Sequence, residues 1–229
     1  MNGRYAFGNQ PGIAQWNMVR FAECLLPLIN SNMQKAAEQI QPILEKFPVM
    51  FDNAWMNMLG RKIGLETIDA PDRKLIRELL SLMTANRADY TNTMDLLTGI
   101  ITVAAMNKGE RENSYSADPA GIQPGSPEKE KLSDAGLDEW FVRWQNRLVQ
   151  ENKSAEDISF LMRSHNPAVI PRNHHMEEVL EQSVLTGSSD AANQYLEVLR
   201  RPYQNMENTR HYQKPPADNS GNYMTFCGT

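Results

Sequence analysis

Two adjacent histidines, His174 and His175, are the first residues in this sequence that could hold a metal ion. Neighbouring residues on a helix point about 100° apart, whereas metal-binding helices place two histidines four residues apart on one face. Glu177 and Glu178 follow the pair but do not restore that spacing. The pattern favours two surface histidines over a metal site, so no metal ligand is predicted in this chain.

Three glycines in the opening stretch GRYAFGNQPGIAQWN raise the question of a phosphate-binding loop. The spacing of Gly3, Gly8 and Gly12 fits neither G-x-G-x-x-G nor G-x-x-x-x-G-K-[ST], and no strand-like run precedes them. A structural turn that leads into a helix is the favoured interpretation. The sequence also contains no G-x-S-x-G, H-R-D or D-F-G motif. These patterns therefore predict no catalytic and no nucleotide-binding residue.

The two cysteines, Cys24 and Cys227, are too far apart in the sequence to form a local metal-binding motif. Cys227 stands third from the C-terminus in the segment TFCGT, where a thiol can reach reaction partners. No neighbouring cationic residue marks it as an activated thiol. A redox function and incidental exposure both remain open for Cys227 on these grounds.

The composition is that of an ordinary globular protein, with 41% hydrophobic and 22% charged residues among 229. The formal net charge is −5, and the absence of clustered lysine and arginine argues against nucleic acid as a partner. No apolar run reaches the length of about 18 residues that a membrane span needs, and no signal-peptide pattern is present. With so few cysteines, a cytoplasmic location is predicted.

Apolar residues recur at three- and four-residue spacing without strand-like alternation, so the predicted fold is all-α. The first helix starts at Pro11 and is apolar on nearly every side, which is typical of a central, buried helix. Its narrow polar strip contains Asn17, Arg20 and Cys24. A buried asparagine and arginine need hydrogen-bond partners, and none is evident in this sequence.

Changes in composition divide the chain into four regions. Residues 1–105 are predicted to be helical. Residues 106–136 combine glycine, proline and charge with few core-forming residues, so a flexible linker or loop is predicted there. Helices resume over residues 137–200. The polar, proline-containing residues 201–229 are expected to form an extended tail rather than a helix.

Local signals mark several helix ends within these regions. Gly64 is placed to end one helix, and Asp69 is placed to cap the next. Ser154 with Asp157 three residues later is similar to a capping box. A further short helix is predicted over residues 190–199.

Several separate stretches resemble one family, the SelO (YdiU) protein adenylyltransferases, whose fold is similar to that of protein kinases. They follow one another in the family's order and cover essentially the whole chain. They are GRYAFGNQPGIAQWNMVRFAECLLPL at the start, RADYT at 87–91, DEWFVRW at 138–144, NPAVIPRN at 166–173, LRRPY at 199–203, KPP at 214–216 and a cysteine third from the end.

The resemblance implies a pseudokinase that transfers AMP or UMP from a nucleoside triphosphate to serine, threonine or tyrosine hydroxyls of proteins. ATP and Mg²⁺ or Mn²⁺ are expected in the complete family protein. The family's nucleotide-binding residues and its NTDN-type and DYGPFGF segments lie N-terminal to GRYAFGNQP, and these strings do not occur in this sequence. The chain is therefore expected to be a C-terminal portion, inactive alone, with no cofactor and no catalytic residue of its own.

In this interpretation residues 1–105 are the end of the activation segment and the helical C-lobe, and the later helices are a C-terminal extension. Asn17 and Arg20 are expected to pack against the missing N-terminal half. Cys227 matches the position where family members carry selenocysteine or cysteine, which implies redox control. Cys24 is the other cysteine of the sequence, and its helix is predicted to be buried. The alternative is a stand-alone helical protein-interaction module without catalytic activity.

Overall fold

A computed structural model of the chain describes residues 7–106, 135–206 and 209–216, and this part is helical without a β-strand. The predicted all-α fold is confirmed. Within the described residues, none of the helices is long and apolar enough to cross a membrane. The helices are α1 (Gln10–Ile29), α2 (Met33–Leu44), α3 (Phe47–Lys62), α4 (Ala70–Ala85), α5 (Tyr90–Met106), α6 (Ala135–Gln150), α7 (Ala155–His165), α8 (Asn173–Thr186), α9 (Asp190–Leu199) and α10 (Thr209–Gln213).

The chain divides into two compact units, Met1–Met58 and Leu59–Thr229. In the first unit a short 3₁₀ turn leads into α1, with Pro11 in the first helical turn as predicted. Helix α1 packs on α2. Each of these two helices buries a single residue, and in both cases that residue is an alanine.

The prediction that α1 is a central, buried helix is wrong for this structure. Large apolar side chains of α1 are exposed instead, with Phe21 66% and Leu28 83% accessible to solvent. The physical reason is that, among the described residues, α2 is the main helix packed on α1, and one such neighbour cannot cover a helix that is apolar on nearly every side. The pattern correctly indicates apolar faces but does not say what covers them.

In the second unit, three helix pairs pack closely: α4 with α6, α5 with α7, and α8 with α9. Trp140 and Trp144 of α6 are completely buried and stack with ring centroids 5.5 Å apart. Each indole N–H is satisfied by a backbone carbonyl, Trp140 donating to Leu75 at 2.8 Å and Trp144 to Ile63 at 2.7 Å. Buried indoles need such an acceptor, so these two bonds fix where α6 lies.

The predicted caps are present. The Asp69 carboxylate accepts from the Asp72 amide at 2.9 Å, and the Asp72 carboxylate accepts from the Asp69 amide at 3.0 Å. Asp72 also forms a buried ion pair with Arg147 of α6, at 2.7 Å. The Ser154 hydroxyl likewise accepts from the Asp157 amide at 3.1 Å at the start of α7. The start of α4 is therefore capped and tied to α6 by the same carboxylate.

Gly64 follows α3 in a left-handed conformation, with φ of 87°, as expected for a glycine that ends a helix. Its neighbours leave no room for a side chain. A Cβ atom at this position would lie 2.7 Å from Ile158 Cγ2 and 3.1 Å from Leu148 Cδ2. Both the backbone angle and the close packing of α6 and α7 therefore require glycine.

The last described helix, α10, lies in the tail for which an extended strap is predicted. Tyr212 of α10 is buried in a small apolar cluster, where its ring centroid lies 4.6 Å from that of Tyr195. The other members of this cluster are Val169, Val179 and Val198. The tail is therefore not extended throughout, because α10 forms where the aromatic side chain of Tyr212 is buried.

Candidate functional site

The residues predicted to pack against another part of the protein, Asn17 and Arg20, both lie exposed on α1. The Arg20 guanidinium pairs with Glu23 at 2.7 Å and lies 5.6 Å from the ring centroid of Trp16. These are local contacts within one helix face, of the kind that contribute little on a solvent-exposed surface. Their packing role stays a prediction.

Apolar side chains accompany these polar residues on α1 and give it the properties of a contact surface. Trp16 is 49% exposed and Met18 44% exposed, in addition to Phe21 and Leu28. We call Trp16, Met18, Phe21 and Leu28 the α1 apolar set. Aromatic residues and methionine beside an arginine are typical of protein–protein interfaces.

Of the two cysteines, only Cys24 lies among the described residues. Cys227 lies outside them, and its predicted redox role stays a prediction. Cys24 is a free cysteine on α1, and its thiol donates to the Arg20 carbonyl at 3.4 Å. Its side chain is exposed, so the prediction that Cys24 lies buried is wrong, for the same reason that α1 as a whole is uncovered.

The stretches RADYT and NPAVIPRN, distant in sequence, meet in an ion pair of the second unit. Arg172 donates to both carboxylate oxygens of Asp89, at 2.8 and 2.9 Å, and to the side-chain carbonyl of Asn92 at 3.2 Å. Burial alone would raise the pKa of Asp89. The bonds and charge of Arg172, with backbone amides, overcome this and hold that pKa below its ordinary value. Asp89 is therefore stabilised as a carboxylate, and it holds Arg172 in place.

Asn166, the first residue of NPAVIPRN, is completely buried and joins three elements. Its amide donates to the Lys62 carbonyl at 2.7 Å and to the Thr98 hydroxyl at 2.9 Å. In turn, the Lys62 ammonium donates to the His165 carbonyl at 2.6 Å and to the Asn166 side chain at 3.3 Å. Burial lowers the pKa of Lys62.

Asp95, a carboxylate within α5, faces Arg163 of α7 at 2.6 Å. Gln213 of α10 donates to Asp95 at 3.1 Å and to the Ala168 carbonyl at 2.7 Å. Burial raises the pKa of Asp95, and the arginine only partly offsets this. The pKa values of the two carboxylates are therefore shifted in opposite directions. The surroundings of Asp89 favour its charged form, and those of Asp95 disfavour it.

Two further stretches that carry the resemblance, LRRPY and DEWFVRW, also have partners within the second unit. Pro202 of LRRPY accepts backbone hydrogen bonds from Ala168 at 2.7 Å and Val169 at 3.3 Å. DEWFVRW supplies the two buried tryptophans of α6 described above. We call the bonds centred on Asp89, Asp95 and Asn166 the polar network. Its two carboxylates are each paired with an arginine, which is the arrangement of a scaffold rather than of a catalytic centre.

The histidine pair differs from the prediction of two surface residues. His174 is partly exposed, and its ring N–H donates to the Lys214 carbonyl at 3.1 Å in the tautomer that carries a proton on Nε2. In contrast, His175 is only 4% exposed. Near His175 lie Glu178 and, from α10, His211. Sequence reasoning missed this group because the position of α10 follows from Tyr212 packing, and no spacing rule links residues 175 and 211.

A family model described as "Protein adenylyltransferase SelO" matches residues 1–202 of the chain. The chain belongs to the SelO family. Relatives named "Protein nucleotidyltransferase YdiU" are 38% identical in Teredinibacter turnerae and 40% identical in Geobacillus kaustophilus, over 99% of this chain. One of the same name in Clostridium perfringens is 37% identical over the same share.

The SelO-family match covers only part of each relative. The aligned residues make up 42% of the T. turnerae and G. kaustophilus proteins and 41% of the C. perfringens protein. The chain thus spans about two fifths of the length of the curated relatives it matches. The resemblance inferred from the short stretches is confirmed. In the second unit NPAVIPRN contacts RADYT through Arg172 and Asp89, and LRRPY through Ala168 and Pro202.

Proposed function

We propose that this chain is the C-terminal helical portion of a SelO-type protein nucleotidyltransferase, which transfers AMP or UMP from a nucleoside triphosphate to protein hydroxyls. ATP and Mg²⁺ or Mn²⁺ are bound by a part of such a protein that these residues do not include. The portion alone is inactive. Protein substrates are the partners of the whole enzyme, and the nucleotide-binding part is the partner of this chain.

The single observation that carries the proposal is the extent of the match: 99% of this chain against 42% of a relative. The polar network supports it, since its carboxylates are engaged by arginines that hold α5, α7 and α8 together. Metal-assisted nucleotidyl transfer needs carboxylates and basic groups that are free to hold metal and phosphate. The network offers a rigid base for such chemistry.

The α1 apolar set supports a contact with the nucleotide-binding part. Exposed aromatic side chains in a cluster are unfavourable in water and are typical of surfaces that another part of a protein covers. In this proposal Asn17 and Arg20 make the polar contacts of that interface, and Phe21 and Leu28 make the apolar ones.

The test mixes the purified chain with ATP labelled at its α-phosphate, Mg²⁺ or Mn²⁺ and a protein substrate. We expect no labelled protein from the chain alone. Adding the non-matching N-terminal part of the G. kaustophilus relative should produce labelling above that of the N-terminal part alone. Arg20→Glu with Phe21→Ser should reduce this gain, while Glu177→Gln on α8 should not.

AMP transfer by the chain alone would contradict the proposal. Failure of complementation, together with stable capture of some other protein through α1, would instead favour a stand-alone interaction module. For Cys227 we propose a redox role: in the complemented reaction, Cys227→Ser should remove any difference between oxidising and reducing conditions. An unchanged difference in this variant would exclude that role.

A further inference from the structure

The group formed by His175, Glu178 and His211 has the composition of a transition-metal site. One ligand atom from each of the three side chains lies within 4.8 Å of the others. His175 and Glu178 are three residues apart on α8 and so lie on the same face of the helix. His211 reaches them from α10, which is held by the buried Tyr212 beside it.

The contacts within the group leave His175 poorly satisfied by protein atoms. Its Nδ1 lies 3.4 Å from Glu178 Oε2, longer than an ordinary N–H···O hydrogen bond. Its Nε2 is buried and has no hydrogen-bond partner in the described part of the chain. Hydrogen bonding therefore does not hold the ring in one tautomer, and a ring nitrogen can offer its lone pair to a cation.

The distances match those of a tetrahedral metal site after a small adjustment. With metal–ligand bonds of about 2.0–2.1 Å, two ligand atoms of a tetrahedral zinc site lie about 3.3 Å apart. The separation of His175 Nδ1 and Glu178 Oε2, 3.4 Å, already has this value. His211 is exposed, and a change in its side-chain torsion angles would bring its ring nitrogen to this distance from at most 4.8 Å.

We propose that His175, Glu178 and His211 bind one zinc ion. Two imidazoles and a carboxylate are the ligand set that zinc accepts, whereas Mg²⁺ and Ca²⁺ prefer sites made of oxygen atoms alone. Glu178 and His211 are open to solvent, so water completes the coordination. Binding joins α8 to α10 and thereby anchors the start of the C-terminal tail.

Burial lowers the pKa of His175. The groups facing it are His174, His211 and Glu178, and the two histidines add to the lowering while the carboxylate opposes it.

The experiment is a calorimetric titration of the untagged full chain with Zn²⁺, with Mg²⁺ as the comparison ion. We expect one equivalent of Zn²⁺ to bind and Mg²⁺ not to bind at this site. Glu178→Gln and His211→Ala should each weaken binding more than about tenfold, since even partners outside the ligand shell contribute about 10–100-fold. The matched controls are Glu177→Gln and His165→Ala, which should bind as the unmodified chain does.

Thermal unfolding gives a second measurement that does not depend on heats of binding. Zn²⁺ should raise the Tm of the unmodified chain and of Glu177→Gln, because an ion bound by the folded state stabilises it. The rise should be absent in the double variant Glu178→Gln with His211→Ala, both of whose changes are at exposed positions. Unchanged zinc affinity and an unchanged Tm rise in this double variant would overturn the proposal, as would no binding at all.

Discussion

The first helix and the polar network contain similar kinds of polar residue, but the side chains of the two regions find different kinds of partner. On α1, arginine, asparagine and large apolar side chains face solvent, and the contacts of Arg20 among the described residues are with Glu23 and Trp16 of its own helix. In the second unit, Arg172 and Arg163 reach carboxylates more than 60 positions away in sequence, at 2.8 and 2.6 Å. Asn166 there is completely buried. Its side-chain amide donates to the Lys62 carbonyl, and its side-chain oxygen accepts from the Lys62 ammonium.

This difference separates two kinds of family motif. Motifs whose residues pair with each other stabilise the fold and need nothing from outside, because long-range bonds between buried groups hold several helices at once. The opening motif leaves its side chains uncovered, which is the property expected of a contact surface. Substitutions in the two regions should therefore act on different measurements.

The largest effect is expected from Trp144→Ala on α6. The side chain is completely buried, and its indole donates to the Ile63 carbonyl at 2.7 Å. Removing a buried tryptophan should lower the free energy of unfolding by about 3–5 kcal/mol, because a cavity and an unpaired carbonyl remain. Denaturant unfolding followed by circular dichroism measures this change.

Trp16→Ala on α1 is the matched control for that substitution. Its side chain is about half exposed, so the expected loss is less than about 1 kcal/mol. Equal losses for the two tryptophans would contradict the distinction between a satisfied core and an uncovered helix.

An intermediate effect is expected from Asp89→Asn, with a characteristic pH dependence. Removing the charge leaves Arg172 without its ion pair and should cost about 2–4 kcal/mol at neutral pH. The folded-state pKa of Asp89 is below its ordinary value, so the carboxylate contributes stability above the unfolded-state pKa. That contribution is lost as the pH falls through the folded-state pKa, so the two proteins should converge in stability in acid.

Asp95→Asn is the comparison for this pH series. Burial raises the folded-state pKa of Asp95, so its contribution is full at low pH and is lost as the pH rises through that pKa. The cost of Asp95→Asn at neutral pH should therefore be smaller than that of Asp89→Asn. Unfolding free energies measured from pH 7 to acid test both signs, and a larger cost at Asp95 would show that the assigned directions are wrong.

The smallest effect on stability is expected from Phe21→Ser on α1. A side chain that is 66% exposed contributes little to folding, so the free energy of unfolding should change by less than about 0.5 kcal/mol. Binding of a hydrophobic dye to the native chain should fall clearly, because part of the α1 apolar set is removed. Unchanged dye binding with a large loss of stability would place Phe21 in a core instead.

Local signals in the sequence predicted the helices well. The cap at Asp69, the helix end at Gly64 and the short helix over residues 190–199 all agree with the structure. Such features depend on residues three or four positions apart, whose interaction is set by helix geometry itself. The short helix α10 in the tail was not predicted, since its little more than one turn coincides with the burial of Tyr212 against side chains distant in sequence.

The spacing of residues in the sequence did not predict the contacts between distant segments. Nothing in the spacing indicates that Arg172 pairs with Asp89, or that His175 is buried next to His211. The exposure of α1 was mispredicted because periodicity reports how apolar a helix face is and not whether a neighbour covers it.

The sequence by itself determined the all-α class, most helix ends and, through its ordered motifs, the SelO family. Tertiary structure alone decided which of those motif residues are buried and which lie exposed on α1. It also brought His175, Glu178 and His211 together in one group. The physical reason is range: caps and periodicity act within one or two helical turns, whereas ion pairs and metal ligands form between segments that only the packed core brings together.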